Sequence, residues 1–218
     1  MTTTGSPPRP LRIGLTGPIG CGKSTVAGWL AEMGGRRIDL DVLAREVTAL
    51  GAATLPGIRR RFGDGVFAAD GSLDRAALAA IVFRDPAALA DLERIVHPFV
   101  RERLLQELDR SAAAGVPFVV IEAIKLVESG IAAACDLVWI VDCSPEMQRA
   151  RLAGRGMAPD DAERRIAAQE GDLAGRLLER LASDSPGLPV RRLRTDGPEP
   201  EVRRVVEEAL REVLARRG

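Results

Sequence analysis

Lysine is almost missing from this chain. Of its 31 basic residues only Lys23 and Lys125 are lysine, and the rest are arginine. Excess charge is missing too: 31 acidic residues balance the basic ones, and no long run of one sign occurs. There is thus no whole-chain basic surface for nucleic acid, which leaves only a local patch open. No apolar stretch reaches the roughly 18 residues that a membrane-spanning helix needs. Residues 1–10 lack the apolar core of a signal peptide and read as a disordered tail. Cysteine is scarce. Cys21, Cys135 and Cys143 are odd in number and hold no C-x-x-C pair, so neither a disulfide framework nor a zinc site is expected. A reducing, cytoplasmic setting fits that usage. Histidine occurs once, at His97.

What is present is ordinary for a globular protein: 46% apolar and 28% charged residues in 218. The length predicts one domain, or one core with an inserted lobe. Leu11–Thr16 is a short apolar run that ends at glycine and reads as a buried first strand. A glycine-rich turn follows, then a helix from Ser24 to Met33 that Gly34 ends. Residues 37–40 form a short second strand. The segment 42–114 reads as mainly helical, and 117–121 and 137–141 are continuous apolar runs, as expected for strands covered on both faces of a parallel sheet. A helix over 145–153 breaks at Gly154-Arg-Gly156, and a charged helix runs from Pro159 to Leu181. A last strand over 190–193 and an amphipathic helix over 199–216 complete the chain. Strands alternating with helices predict an α/β fold with a parallel sheet, and the block over about 42–114 is too long for a simple crossover, so it reads as an inserted helical lobe.

Gly17-Pro-Ile-Gly-Cys-Gly-Lys23-Ser24 matches G-x-x-x-x-G-K-[S/T] between the first strand and the first helix. Glycines at Gly17, Gly20 and Gly22 let main-chain N–H groups, through Cys21 and on to Thr25, turn inward around phosphate oxygens. The helix that opens here adds its positive end. Lys23 can reach the β- and γ-phosphates, and the Ser24 hydroxyl can ligate Mg²⁺. Cys21 sits inside the loop, where the helix N-terminus can make a thiol more acidic, and reads either as a small residue that fits or as a redox group. No guanine-reading N-K-x-D occurs, and the D-x-x-G at Asp172 to Gly175 falls in a helical stretch instead of following a strand. A short chain with an inserted lobe and an arginine-rich segment points to a small-molecule kinase.

Asp39 and Asp41 follow the second strand. A carboxylate there can align an attacking hydroxyl or accept its proton, or it can cap the helix that starts near Val42. Glu122 ends the third strand, where it can face the water shell of Mg²⁺ or cap a helix. Arg151 and Arg155 share a helix face and enter the glycine break, either as lid arginines that stabilise a transferring phosphoryl group or as a solvated face.

Taken in order, these residues resemble the dephospho-CoA kinase family. The likeness runs from about Leu11 to Gln169 through Ile13–Thr25, Ile38-Asp-Leu-Asp41, Asp70-Gly-Ser-Leu-Asp-Arg-Ala-Ala-Leu78, Val82-Phe83, His97-Pro98 and the stretch from Arg151 to Gln169. The resemblance implies a three-layer P-loop NTPase-like α/β/α core with a five-stranded parallel sheet, a helical substrate lobe, and a lid with its following helix over about 151–182. It implies ATP and dephospho-CoA as substrates, with Mg²⁺. Phosphate would pass to the ribose 3′-hydroxyl, the last step of coenzyme A synthesis. It makes Asp41 the general base and Arg151 and Arg155 lid residues. Asp39, Thr16 and His97 would lie near the acceptor. A monomer or weak homo-oligomer is expected, with no membrane or nucleic-acid partner.

This chain departs from the family's pattern at three places. Pro18 stands where glycine is usual and removes one loop N–H. Lys125 stands where leucine is usual, either exposed or at a substrate phosphate. Thr195 stands where asparagine is usual near the adenine. A related kinase acting on another acceptor, and a nucleotide-binding regulator without turnover, remain the alternatives.

Overall fold

A computed structural model describes residues 9–169 and 171–217. Most of the expected N-terminal tail lies outside the described residues. Arg9 is placed, with Nη2 2.6 Å from Asp136 Oδ1.

The chain divides into two compact units: the residues up to Ile38 together with those from Ser111 onward, and Asp39–Arg110. The first unit is built on five strands, β1 (Leu11–Thr16), β2 (Arg36–Asp39), β3 (Phe118–Glu122), β4 (Leu137–Asp142) and β5 (Val190–Arg194). Their order is β2-β3-β1-β4-β5. The central β1 pairs in parallel with β3 and with β4, and β4 pairs in parallel with β5. Each crossover between parallel neighbours requires an intervening segment, which is why residues distant in sequence meet at the ends of these strands. Every residue of β3 and β4 is buried, as their unbroken apolar runs require, while β5 alternates more openly at the sheet edge.

Helices α1 (Lys23–Glu32) and α9 (Glu199–Ala215) cover one face. There Ile13, Leu15, Leu30, Phe118, Trp139 and Val206 form a closely packed cluster, each 1% exposed or less. Removing any of these large side chains would cost roughly 2–5 kcal/mol in transfer and cavity terms. On the other side Gly14 has no room for a Cβ, which would lie 2.7 Å from Leu126 and 2.9 Å from Cys135 Sγ. Helices α6 (Pro145–Gly154), α7 (Pro159–Ala167) and α8 (Leu173–Asp184) follow β4, and α8 packs along β4 and β5.

The second unit is helical: α2 (Leu40–Glu46), α3 (Leu55–Phe62), α4 (Arg75–Val82) and most of α5 (Pro86–Ala113), with Pro98 inside the last. Asp74 caps α4 by accepting from Ala76 N and Ala77 N, both at 3.0 Å.

One expected element is corrected. The helix predicted over 159–181 is two helices, because Gly171 takes φ +72° and Asp172 starts a new one. The Asp172 carboxylate accepts from Gly175 N at 2.9 Å, and a Cβ on Gly175 would lie 2.4 Å from its other oxygen. The D-x-x-G sequence is therefore a helix cap.

Burial pushes the Cys135 thiol up to about 12, with the neighbouring Asp136 charge adding to the effect. Because the thiolate is the nucleophile, about one molecule in 10⁴ is reactive at pH 8. Iodoacetamide at that pH is expected to leave Cys135 unmodified in native protein, as read by peptide mass. Rapid labelling there would contradict its packing.

Candidate functional site

The turn from Gly17 to Gly22 leaves β1 at the C-terminal edge of the sheet and opens α1. Gly17 takes φ +140°, and a Cβ on it would sit 2.0 Å from the Val141 carbonyl oxygen, so only glycine fits against β4 there. Gly22, at φ +87°, starts α1 without a side-chain cap. The first turn of α1 begins at this loop, and the positive helix end there favours an anion. Lys23 is 9% exposed and folds back over its own loop, with Nζ 2.7 Å from Gly17 O and 2.9 Å from Pro18 O. Pro18 has lost its N–H but contributes its carbonyl to holding the ammonium in place.

Ser24 and Glu122 lie together. The Ser24 hydroxyl donates to Glu122 Oε1 at 2.8 Å, and Arg37 donates to Glu122 Oε2 through Nε at 2.9 Å and Nη2 at 2.8 Å. Glu122 is buried, so a carboxylate there needs this pairing, and removing the cation from such a pair costs roughly 3–5 kcal/mol. Arg37 is a residue that sequence reasoning missed. Thr16 is fully buried, and its hydroxyl donates to Ile124 O at 3.1 Å, which ties the end of β1 to the turn after β3. Lys125 in that turn is exposed.

The lid arginines are placed differently from each other. Arg151 reaches back across the loop and donates to Thr195, from Nη1 to Oγ1 at 2.9 Å and from Nη2 to the carbonyl at 2.5 Å. Arg155 is exposed at the C-terminal cap of α6. The loop is further held by two glutamines that were not singled out from the sequence. Gln148 Nε2 donates to Ile19 O at 2.8 Å, and Ile19 N donates to Gln169 Oε1 at 3.0 Å. A cavity of about 440 Å³ opens beside them, lined by Pro18, Cys143, Gln148, Gln169, Arg192 and Arg194.

The cysteine reading is corrected. Cys21 and Cys143 form a disulfide, with Cα atoms 5.2 Å apart and a sequence separation of 122. Count and spacing could not reveal this pair. It arises because β1 and β4 are parallel neighbours, so the residues past their C-terminal ends converge.

Asp39 and Asp41 belong to the second unit. Asp39 caps α2, and its Oδ1 accepts from Asp41 N at 3.0 Å and Val42 N at 3.3 Å. The capping alternative thus holds for Asp39 and is worth about 1 kcal/mol. Asp41 stands exposed in the first turn of α2. His97, half-buried on α5, lines a surface groove of about 460 Å³ with Pro98, Arg94 and Arg101.

The disulfide closes a loop of more than 100 residues, which stabilises by roughly 2–4 kcal/mol in typical cases. Protein purified without reductant and then denatured is expected to expose one alkylatable thiol, Cys135, and reduction should lower Tm by about 5–10 °C. Three reactive thiols before reduction would remove the cross-link.

The dephospho-CoA kinase family model matches residues 11–178. A dephospho-CoA kinase of Streptomyces avermitilis is 50% identical over 161 residues, covering 73% of this chain and 77% of that protein. One of Symbiobacterium thermophilum is 46% identical over 158 residues, covering 72% of this chain but 66% of that protein. The crystal structure of TT1252 from Thermus thermophilus superposes with a TM-score of 0.74 at 34% identity, over 96% of this chain and 98% of the other. With the loop, the sheet order and these likenesses in agreement, the chain belongs to the dephospho-CoA kinase family, and it is a kinase.

Proposed function

We propose that this chain transfers the γ-phosphoryl group of ATP to the ribose 3′-hydroxyl of dephospho-CoA, giving CoA and ADP, with the labour divided among the residues described above. The observation that carries the reading is the loop itself: main-chain N–H groups at the start of α1, the Lys23 ammonium folded over them, and the Ser24–Glu122 pair alongside. Phosphoryl transfer asks little covalent chemistry of a protein and depends on positioning and on neutralising charge. In this reading Gly17, Gly20, Cys21, Gly22, Ser24 and Thr25 cradle the phosphates, and Lys23 exchanges its loop carbonyls for phosphate oxygens.

The Ser24 hydroxyl and the Glu122 carboxylate are hard oxygen donors 2.8 Å apart, a set that suits Mg²⁺. Bound there, Mg²⁺ would neutralise charge on the β- and γ-phosphates. Substrate phosphate and water would complete such a site, as Mg²⁺ commonly keeps several waters.

Asp41 accepts the proton of the attacking hydroxyl, and Asp39 sets the helix turn that presents it. Arg151 and Arg155 supply positive charge to the transferring group. Thr16 and His97 serve the acceptor side, Thr16 through the turn it fixes. Among the described residues no helix is long and apolar enough to cross a membrane. We place the reaction in the cytoplasm, where the Cys21–Cys143 bridge would stand reduced, carried out by a monomer or weak homo-oligomer.

An ADP-release assay compares dephospho-CoA with pantetheine phosphate, shikimate and nucleoside monophosphates. Turnover on dephospho-CoA alone is expected. Turnover on another acceptor would move the chain to a related kinase, and ATP binding without any turnover would make it a regulator. Asp41→Asn should lower kcat by roughly 10²–10⁴ with ATP affinity near normal, and a rate within a few-fold of the parent would remove Asp41 from the mechanism. Lys23→Ala should lose most activity. Glu122→Gln should raise the Mg²⁺ concentration for half-maximal rate by about 10-fold or more, in the range typical of lost metal-site partners. An unchanged Mg²⁺ dependence would take Glu122 out of the metal site.

A further inference from the structure

We infer that Thr195 is a positioning residue of the transfer step, one that seats Arg151 on the phosphate loop and does not read the nucleotide base. The inference rests on the role proposed above for Arg151. Thr195 follows β5 and is 2% exposed, and each of its polar groups is committed within the protein. Its N–H donates to Asp142 O at 2.9 Å. Its hydroxyl donates to Cys21 O at 2.8 Å, with Asp142 O also in reach at 3.2 Å. The same hydroxyl oxygen accepts from Arg151 Nη1 at 2.9 Å, and the Thr195 carbonyl accepts from Nη2 at 2.5 Å. A base edge would have to displace one of these partners.

Two consequences follow from the geometry. In a trans peptide the C=O and the next N–H point in opposite directions. By drawing the Cys21 carbonyl toward itself, the Thr195 hydroxyl turns the Gly22 N–H away from β5. The guanidinium, meanwhile, is gripped at two of its five N–H donors by the two oxygens of one residue. Its Nη1 lies 3.5 Å from where a Cβ on Gly22 would be, so Arg151 rests directly over the loop with its other donors available for phosphate. A threonine thus fixes both the loop amide and the arginine that face the transferring group, by one hydroxyl and one carbonyl.

The test is a steady-state cycle on Thr195→Val, Thr195→Ser, Arg151→Met and the double variant Thr195→Val/Arg151→Met, with CD and Tm recorded for each. Thr195→Val keeps the shape and removes the hydroxyl, and it should lower kcat by about 10- to 100-fold while KM for ATP stays within about three-fold. Thr195→Ser should restore kcat to within about three-fold of the parent. On the Arg151→Met background the Val substitution should cost less than about two-fold, because coupled residues are not additive. The ratio of kcat/KM for ATP over GTP should be the same in Val variant and parent. The inference falls if the Val variant runs within about two-fold of the parent, if Ser is no better than Val, if the Val loss persists undiminished without Arg151, or if the ATP preference changes. If Thr195→Val does not fold, Thr195→Ala takes its place in the same comparisons. Arg151→Met at the parent rate would overturn the role of Arg151 itself. Arg151→Met slow with Thr195→Val fast would overturn only the seating by Thr195.

Discussion

The contact on which the site depends is the one between the Gly17 backbone and the Val141 carbonyl, where even a methyl group would overlap the oxygen. It joins the end of β1 to the end of β4 at the C-terminal edge of a parallel sheet, the edge at which such folds bind ligands. Once that approach is made, the chain after β4 is bound to lie against the loop. Cys143 then meets Cys21, Gln148 meets Ile19, and Arg151 comes down over Gly22 onto Thr195. Each of these contacts spans more than 40 residues of sequence, yet each is a local consequence of two strands ending side by side.

The charges of the first unit are arranged on the same principle. Lys23 and Glu122 are both buried, and neither charge is left to solvent. The ammonium lies on two loop carbonyls, and the carboxylate is held by Arg37 and Ser24. Asp142, also buried, is balanced by Arg192 and Arg194, while Asp196 accepts from Ser144 N at 2.6 Å. Burial opposes ionisation of Asp196, but that N–H and Arg194 hold its carboxyl below the usual range. The link from β4 into α6 is therefore fixed from both sides, and α6 delivers Arg151 at a defined height above the loop.

Much of this was legible in the sequence. The three central strands could be read because a strand covered on both faces leaves an unbroken apolar run, and the phosphate loop because its glycines must take conformations that other residues resist. The capping role of Asp39 was visible as an alternative because a cap is local. What escaped had one cause. The Cys21–Cys143 bridge, the Arg37–Glu122 pair and the Thr195 contacts join residues 44 to 174 apart, and only strand order brings them together. The break at Gly171 escaped for the opposite reason. The apolar spacing continues through it, and the cap at Asp172 decides the geometry against the periodicity.

At Arg151 the choice of arginine over lysine has a physical meaning. A guanidinium offers a planar fork, and here that fork closes on the hydroxyl and the carbonyl of a single residue. An ammonium on a flexible stem could satisfy either oxygen, but it would not fix its own orientation by doing so, and it would have to let go in order to reach a phosphate. Two donors anchor the guanidinium, and in the proposed role the others would serve the ligand. At Lys23 the demand is reversed. In the proposed reaction a compact ammonium on a flexible stem would move from the loop carbonyls to phosphate oxygens. In that reading the buried lysine stands where the cation would move, and arginine stands where it would stay.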